Sequence, residues 1–220
     1  KKHMPPSGKS QLTEDEIQLM DQWIKAGAPF TQKVITLPAN DSLRIVATML
    51  LNTRESNEEG YDFAEADEQT IKNLNTNYRI ISHLAKGSPA LTVNLYNRNA
   101  YQVSALEELK EIKEQIVSLE LSKLPVTDSD LKVIAGFENL RKLNLNFTEI
   151  TGKGLESLIR LQHLKRLYLS GTKVSFEDLK QTLPALKSLT TLAIWDTGLT
   201  ADQLEQIKKD NKHITFLTGY

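Results

Sequence analysis

The side chains able to act as acids, bases or nucleophiles are scattered along the chain. Its histidines are His3, His83, His163 and His213. His163 and His213 each precede an expected strand, but two strand spacings separate them, with Ser188 at the place between. One metal ion would need a third ligand there. Ser104 and Ser157 have no His and Asp at a spacing that builds a nucleophilic triad. Asp128, Asp130, Asp178, Asp196 and Asp202 recur around turns, where a carboxylate ordinarily caps a helix. Gly152-Lys153-Gly154 and Ser170-Gly171-Thr172 read as turn glycines and match no phosphate-binding loop. The absence of cysteine removes disulfides, thiolate metal sites, cysteine nucleophiles and covalent haem attachment within these residues. These residues are therefore expected to perform no catalysis, which leaves binding as the chemistry to look for.

Binding residues need a regular backbone to gather them, and the leucines supply one. The chain of 220 residues has 33 leucines, 21 of them between Leu119 and Leu217. Leu119-Glu120-Leu121, Leu143-Asn144-Leu145, Leu167-Tyr168-Leu169 and Leu192-Ala193-Ile194 follow one another at 24, 24 and 25 residues, and a further 25 reaches Leu217. Ile116, Leu140, Leu164, Leu189 and Ile214 stand three places ahead of each. Val126-Thr127, Ile150-Thr151, Val174-Ser175 and Leu199-Thr200 come after, then Leu131, Leu155, Leu179 and Leu204. A last apolar place falls at Ile134, Leu158, Thr182-Leu183 and Ile207. Each unit reads as a leucine-rich repeat: L-x-x-L-x-L, a turn, then L-x-x-L-x-x-L. The alternating L-x-L predicts a short strand with its leucines inward, and the later leucines predict a helical face over the same core. Thr148, Thr172, Thr197 and the Thr or Ser after each Ile or Val are expected to satisfy backbone groups in the turns. The expected fold is α/β: a leucine-rich repeat solenoid of strand-turn-helix units of 24–25 residues, with a short N-terminal helical segment.

In such a solenoid the positions flanking the inward leucines face outward on the concave strand surface. They are Ser118, Glu120 and Ser122, then Lys142, Asn144 and Asn146, then Arg166, Tyr168 and Ser170, then Thr191, Ala193 and Trp195. Strands about 4.8 Å apart bring Lys142 beside Arg166. Tyr, Trp and Arg carry much of the binding energy at protein interfaces. Lys142, Asn144, Arg166, Tyr168 and Trp195 are the candidate partner-binding residues. A carbohydrate-binding surface is a further option if Tyr168 and Trp195 line an open groove; the plain alternative is a solvated ladder.

Upstream the register loosens. Val93 and Leu95 fit a strand, with Ala105-Leu106, Leu109 and Ile112 as its helix. Tyr78 to Ile81 reads as an earlier strand after a helix around Asp67 to Leu74. Ser42 to Leu51 reads as a short helix with Leu43, Val46, Met49 and Leu50 on one face. Asn52 to Glu65 reads as a loop, and Ile214 to Leu217 as a last strand. Irregular units of this kind are expected of an N-terminal cap.

The first thirty residues do not continue the repeat. His3 to Lys9 is a Pro/Gly-rich loop, and Thr13 with Glu16 forms a capping box. Ile17, Met20, Trp23 and Ile24 mark one helical face, which Gly27 and Pro29 end. Met4-Pro5-Pro6 followed by Leu12-Thr13-x-x-Glu16-Ile17-x-x-Met20-x-x-Trp23-Ile24-x-x-Gly27-Ala28 resembles the tail of a class I cytochrome c domain. The nearest type is the planctomycete-type domain of bacterial cell-envelope proteins, which a leucine-rich repeat region can follow. The resemblance implies that Met4 is the distal axial ligand of haem iron in an intact parent protein, a thioether that raises the haem potential. That family attaches haem through C-x-x-C-H, and this chain has no such motif. The matched residues correspond to the C-terminal third of such a domain. Haem c is therefore implied for the parent and no cofactor for these residues. The helix's apolar face is expected to fold onto the repeat cap or a neighbouring molecule.

The expected organisation is 1–30 as the cytochrome-like tail, 31–90 as linker and cap, and 91–220 as repeats. Lys and Arg number 27 against 28 Asp and Glu, a net charge of −1, which argues against nucleic-acid binding by bulk positive charge. No apolar run approaches the roughly 20 residues of a membrane span, and no signal peptide opens the sequence. The resemblance implies a periplasmic or otherwise extracytoplasmic location and a membrane-associated parent. The expected role is protein–protein interaction or scaffolding, with part of a haem-dependent electron-transfer protein or complex as the alternative.

Overall fold

The computed structural model describes residues 14–29, 31, 33–38, 41–55, 60–85 and 87–218. The chain divides into two compact units, Lys1–Gly60 and Tyr61–Gly219. The segment expected as linker and cap, 31–90, is shared between them, because residues 79–95 hydrogen-bond into the sheet of the second unit.

In the first unit α1 is Glu14–Lys25 and α2 is Ser42–Glu55, and the two helices pack together. Gly27, at φ +84°, ends the first helix as expected. Asp41 starts the second: its Oδ1 accepts from the N–H groups of Leu43 and Arg44 at 2.9 and 3.2 Å. This helix runs past the expected stop at Leu51 into what read as loop. Leu43 and Val46 are buried as expected; the side chains of Met49 and Leu50 lie outside the described ones. Trp23 is half-buried, with its indole N–H donating to the Pro29 carbonyl at 3.3 Å. Ile17, Met20 and Ile24, on the apolar face expected to be covered, are 46, 48 and 60 % exposed. Met4, His3 and Thr13, and with them the axial-ligand and capping-box assignments, lie outside the described residues.

The second unit is a mixed α/β structure built on one open seven-stranded sheet in the order β1 to β7. The strands are β1 Arg79–His83, β2 Leu91–Leu95, β3 Ile116–Glu120, β4 Lys142–Asn144, β5 Arg166–Tyr168, β6 Thr191–Ala193 and β7 Thr215–Leu217. β1 pairs with β2 as an antiparallel hairpin, and every later pair is parallel. The register aligns Ser118, Lys142, Arg166, Thr191 and Thr215 in one row, and Leu119, Leu143, Leu167, Leu192 and Phe216 in the next. The last spacing thus falls on Phe216, not on Leu217 as the sequence spacing implied. Thr215 N–H donating to the Thr190 carbonyl at 2.8 Å holds that register.

Helical segments alternate with the strands: α3 Glu68–Leu74, α4 Ser104–Glu107, α5 Leu131–Ile134, α6 Phe176–Thr182 and α7 Ala201–Asp210. The stretch Gly152–Arg160 is a 3-10 helix, and another, Glu108–Ile112, continues α4. The same i, i+3 apolar spacing also falls on α-helix, at Leu131 and Ile134 in α5 and at Leu204 and Ile207 in α7, so the spacing fixes the buried face and not the helix type. The inward residues of β1 to β6 and the helical leucines form one continuous core. Arg79, buried at the start of the sheet, is held by three partners: its guanidinium donates to the Leu74 and Ala105 carbonyls at 2.8 and 2.7 Å and pairs with Glu108 at 3.0 Å.

Candidate partner-binding face of the sheet

The site is set by what happens at the C-terminal ends of the parallel strands. Beyond the regular ladder, Leu121, Leu145 and Leu169 N–H groups donate to the carbonyls of Asn144, Tyr168 and Ala193 at 3.0, 2.9 and 2.8 Å. Two residues later the chain turns through a left-handed residue each time: Lys123, Phe147, Gly171 and Asp196, with φ of +64, +57, +66 and +55°. Thr148, Thr172 and Thr197 then close the turn as expected, their hydroxyls donating to the carbonyls of Leu145, Leu169 and Ile194 at 2.7, 2.5 and 2.9 Å. The next Thr or Ser also has a backbone task. Ser175 and Thr200 form capping boxes with Asp178 and Gln203, and Thr127 N–H donates to Asp130 at 2.8 Å. Asp128 reaches into the following unit, accepting from Thr151 N–H and Oγ at 2.8 and 2.6 Å.

Gly152 and Gly154 are more than turn residues. A Cβ on Gly152 would stand 1.8 Å from the Asp178 carboxyl carbon, and one on Gly154 would meet Leu131 and Asp128 at 2.6 and 2.7 Å. Both positions leave no room for a side chain, with Asp178 against Gly152 and Leu131 and Asp128 against Gly154.

Of the candidate residues, Lys142 and Arg166 stand side by side in the register, as expected. The Lys142 Nζ pairs with Glu120 at 3.0 Å and lies 5.3 Å from the centre of the Tyr168 ring. Asn144 and Tyr168 occupy the predicted register positions, but they are 0 and 1 % exposed. The expectation of a solvated ladder fails at both, and also at Ser118, Asn146, Ser170, Thr191 and Ala193, which are buried. Strand spacing explains part of this: short Asn144 sits in register between Glu120 and Tyr168, with Lys142 reaching across. The condition for the carbohydrate reading, an open groove lined by Tyr168 and Trp195, is not met.

The buried polar row is linked internally. Asn144 Oδ1 accepts from Asn146 N–H at 3.0 Å, and Asn146 Oδ1 accepts from Ser170 N–H at 2.8 Å, joining adjacent strands. Two of its groups, Asn144 Nδ2 and Ser170 Oγ, make no hydrogen bond. A buried group left in this state costs about 1–3 kcal/mol, and such groups are uncommon in folded proteins.

Trp195, half-buried, meets Phe147 edge-on, with ring centres 5.2 Å apart and planes at 72°. Gly171 lies between them in the row of turns, and Phe147 fills the space that a side chain there would take: an added Cβ would be 2.2 Å from its ring. Sequence reasoning gave Phe147 no role. The signal available was its place one unit before Gly171, the single glycine of the four turn residues.

A cavity of about 300 Å³ is lined by Lys132, Gly136, Glu138, Arg160, Gln162 and His163 among others. Its cations have an ordinary explanation. Lys132 and Arg160 hold the last-turn place that Lys110, Lys180 and Lys208 hold elsewhere, where a cation complements the free carbonyls of a helix end. His163 and His213 are both exposed. No three His, Asp or Glu side chains among the described residues are grouped to hold a metal ion, and no described helix is long and apolar enough to cross a membrane. Covalently attached haem does not fit these residues, since its thioether links require cysteines that the chain lacks.

No family model matches the chain, and no curated protein matches it.

Proposed function

We propose that the chain is a leucine-rich repeat module that captures a protein partner on the outward face of its strands. The residues that carry this role are Lys142, Arg166 and Trp195, with Phe147 as the support of the indole. The observation behind it is the Phe147–Trp195 pair, set in the left-handed turns at the strand ends and half open to solvent. Trp and Arg are among the residues that concentrate binding energy at an interface, and both project from this side of the sheet. Residue spacings of 24, 24, 25 and 24 across β3 to β7 support the repeat reading. Asn144 and Tyr168 act in this reading from beneath, by holding Lys142 in place. The test is capture of a partner from a cell-envelope extract by the wild-type chain and by the Arg166→Ala/Trp195→Ala variant. Loss of a specific partner in the variant is expected, with cooperative unfolding retained and a midpoint lowered only by the lost Phe147–Trp195 contact, about 0.5–1.5 kcal/mol. Equal capture by both would overturn the assignment of the face.

A second reading rests on the resemblance of residues 1–30 to the tail of a planctomycete-type cytochrome c domain. In it the module serves an extracytoplasmic electron-transfer protein or complex, with Met4 as axial ligand in the intact parent. A c-type visible spectrum of the full-length protein would favour this reading, and a parent without haem would remove it.

A further inference from the structure

His83 closes β1, and both nitrogens of its ring face oxygen atoms. Nδ1 is 2.8 Å from the Ser88 carbonyl, and Nε2 is 2.9 Å from Oε1 of Glu68. Neither oxygen can donate: a backbone carbonyl carries no proton, and a glutamate near neutral pH carries none. A neutral imidazole has one N–H, so it satisfies one oxygen and turns a lone pair toward the other. The imidazolium donates to both. The three residues come from different segments. Glu68 opens α3, His83 ends β1, and Ser88 lies in the turn to β2.

β1 is also the first strand of the sheet, so its outer edge has no strand partner among the described residues. Asn75, just after α3, guards that edge at Ile81: its Oδ1 accepts the Ile81 N–H at 2.7 Å and its Nδ2 donates to the Ile81 carbonyl at 3.3 Å. Guarding an exposed edge in this way prevents pairing with another strand. Two residues further along, the His83 ring ties the end of the same strand to α3 and to the turn into β2, and these bonds, unlike that of Asn75, depend on protonation. We infer that His83 is a proton-operated latch at the first edge of the sheet, closed by the imidazolium onto Glu68 and Ser88 and released when the ring loses its proton.

The charges around the ring agree. Glu68 from α3 and Glu65 from the preceding stretch both favour the imidazolium, β2 carries no titratable residue, and Lys86 of the turn lies outside the described residues. The bond to Glu68, then that to Ser88, raises the His83 pKa above its ordinary 6.5, and burial opposes them weakly. Because the folded-state pKa is raised, the contribution is fully present below the unfolded value and is lost as pH rises through the folded one.

The test follows the ring and the backbone of the whole chain together by NMR. The His83 ring is titrated alongside the amide protection factor of Leu84, whose N–H donates to the Ala90 carbonyl across the turn, with intrinsic exchange divided out. His83 is expected to titrate above 6.5, and Leu84 protection to fall about two- to fivefold through the same midpoint, the size an exposed charge pair supports. Glu68→Gln, a near-isosteric change at a side chain that is 76 % exposed, should move both midpoints down together. A wild-type His83 midpoint at or below 6.5, Leu84 protection that does not follow it, or a midpoint unmoved by Glu68→Gln would each overturn the latch.

Discussion

Gly171→Ala is the most informative substitution in the chain, because two separate costs meet at one position. Its φ of +66° is left-handed, which costs an alanine about 1–2 kcal/mol. The added Cβ would lie 2.2 and 2.5 Å from Cδ1 and Cε1 of Phe147, where carbon atoms rest at about 3.5–4.0 Å. The ring must therefore retreat by more than about 1 Å, and overpacking of this kind typically costs about 1–3 kcal/mol. Retreat also breaks the edge-on contact with Trp195, itself about 0.5–1.5 kcal/mol. Together these predict a loss of about 2.5–6.5 kcal/mol, large against the ~5–15 kcal/mol of a typical domain. Gly198→Ala supplies the control: φ is +75° but nothing lies within 4 Å of the added carbon, so the left-handed cost stands alone. The assay is urea unfolding followed by tryptophan fluorescence for both variants, for Phe147→Ala and for the double variant Gly171→Ala/Phe147→Ala. Removing the ring should return the steric part of the Gly171→Ala loss as a coupling energy. Equal losses at Gly171 and Gly198, or zero coupling to Phe147, would refute the packing argument.

Asp128→Ala removes both acceptors of Thr151 and is expected to cost about 1.5–3 kcal/mol in urea unfolding. Thr151→Val should cost less, and the pair should be non-additive; simple additivity would show that the link between units is idle. Tyr101 gives a pH prediction. Its hydroxyl is buried without a hydrogen bond of acceptable geometry, and burial first, then the charge of Asp130, holds its pKa well above the ordinary 10. As pH rises past 10 the unfolded chain ionises first, so stability that is fully present below that value declines. Tyr101→Phe should leave neutral-pH stability unchanged or improved and flatten the alkaline decline; a neutral-pH loss above about 1 kcal/mol would mean that the hydroxyl is bonded after all.

The repeating parts were legible because each is short-range. Leu119, Leu143 and Leu167 alternate with polar neighbours inside a few residues, and parallel pairing of one unit on the next reproduces their spacing as register. Thr148 and Thr172 were readable for the same reason, since a hydroxyl three places after a carbonyl has an obvious local acceptor. The last strand was misaligned by one residue because Leu217 and Phe216 are both apolar. Hydrogen bonding of Thr215 to Thr190, which no pattern contains, chose between them. The left-handed run through Lys123, Phe147, Gly171 and Asp196 escaped notice because three of the four are not glycine.

The candidate face was legible in membership and not in exposure. Alternation alone determined that Lys142, Asn144, Arg166 and Tyr168 share the side of the sheet away from the leucines, and that Lys142 neighbours Arg166. Only the tertiary structure decided that Asn144 and Tyr168 are buried there, that Glu120 neutralises Lys142, and that Phe147 crosses Gly171 to reach Trp195. The physical reason is that burial and charge pairing on a sheet face are set by neighbours 24 residues away, whose side-chain lengths and directions no local period encodes.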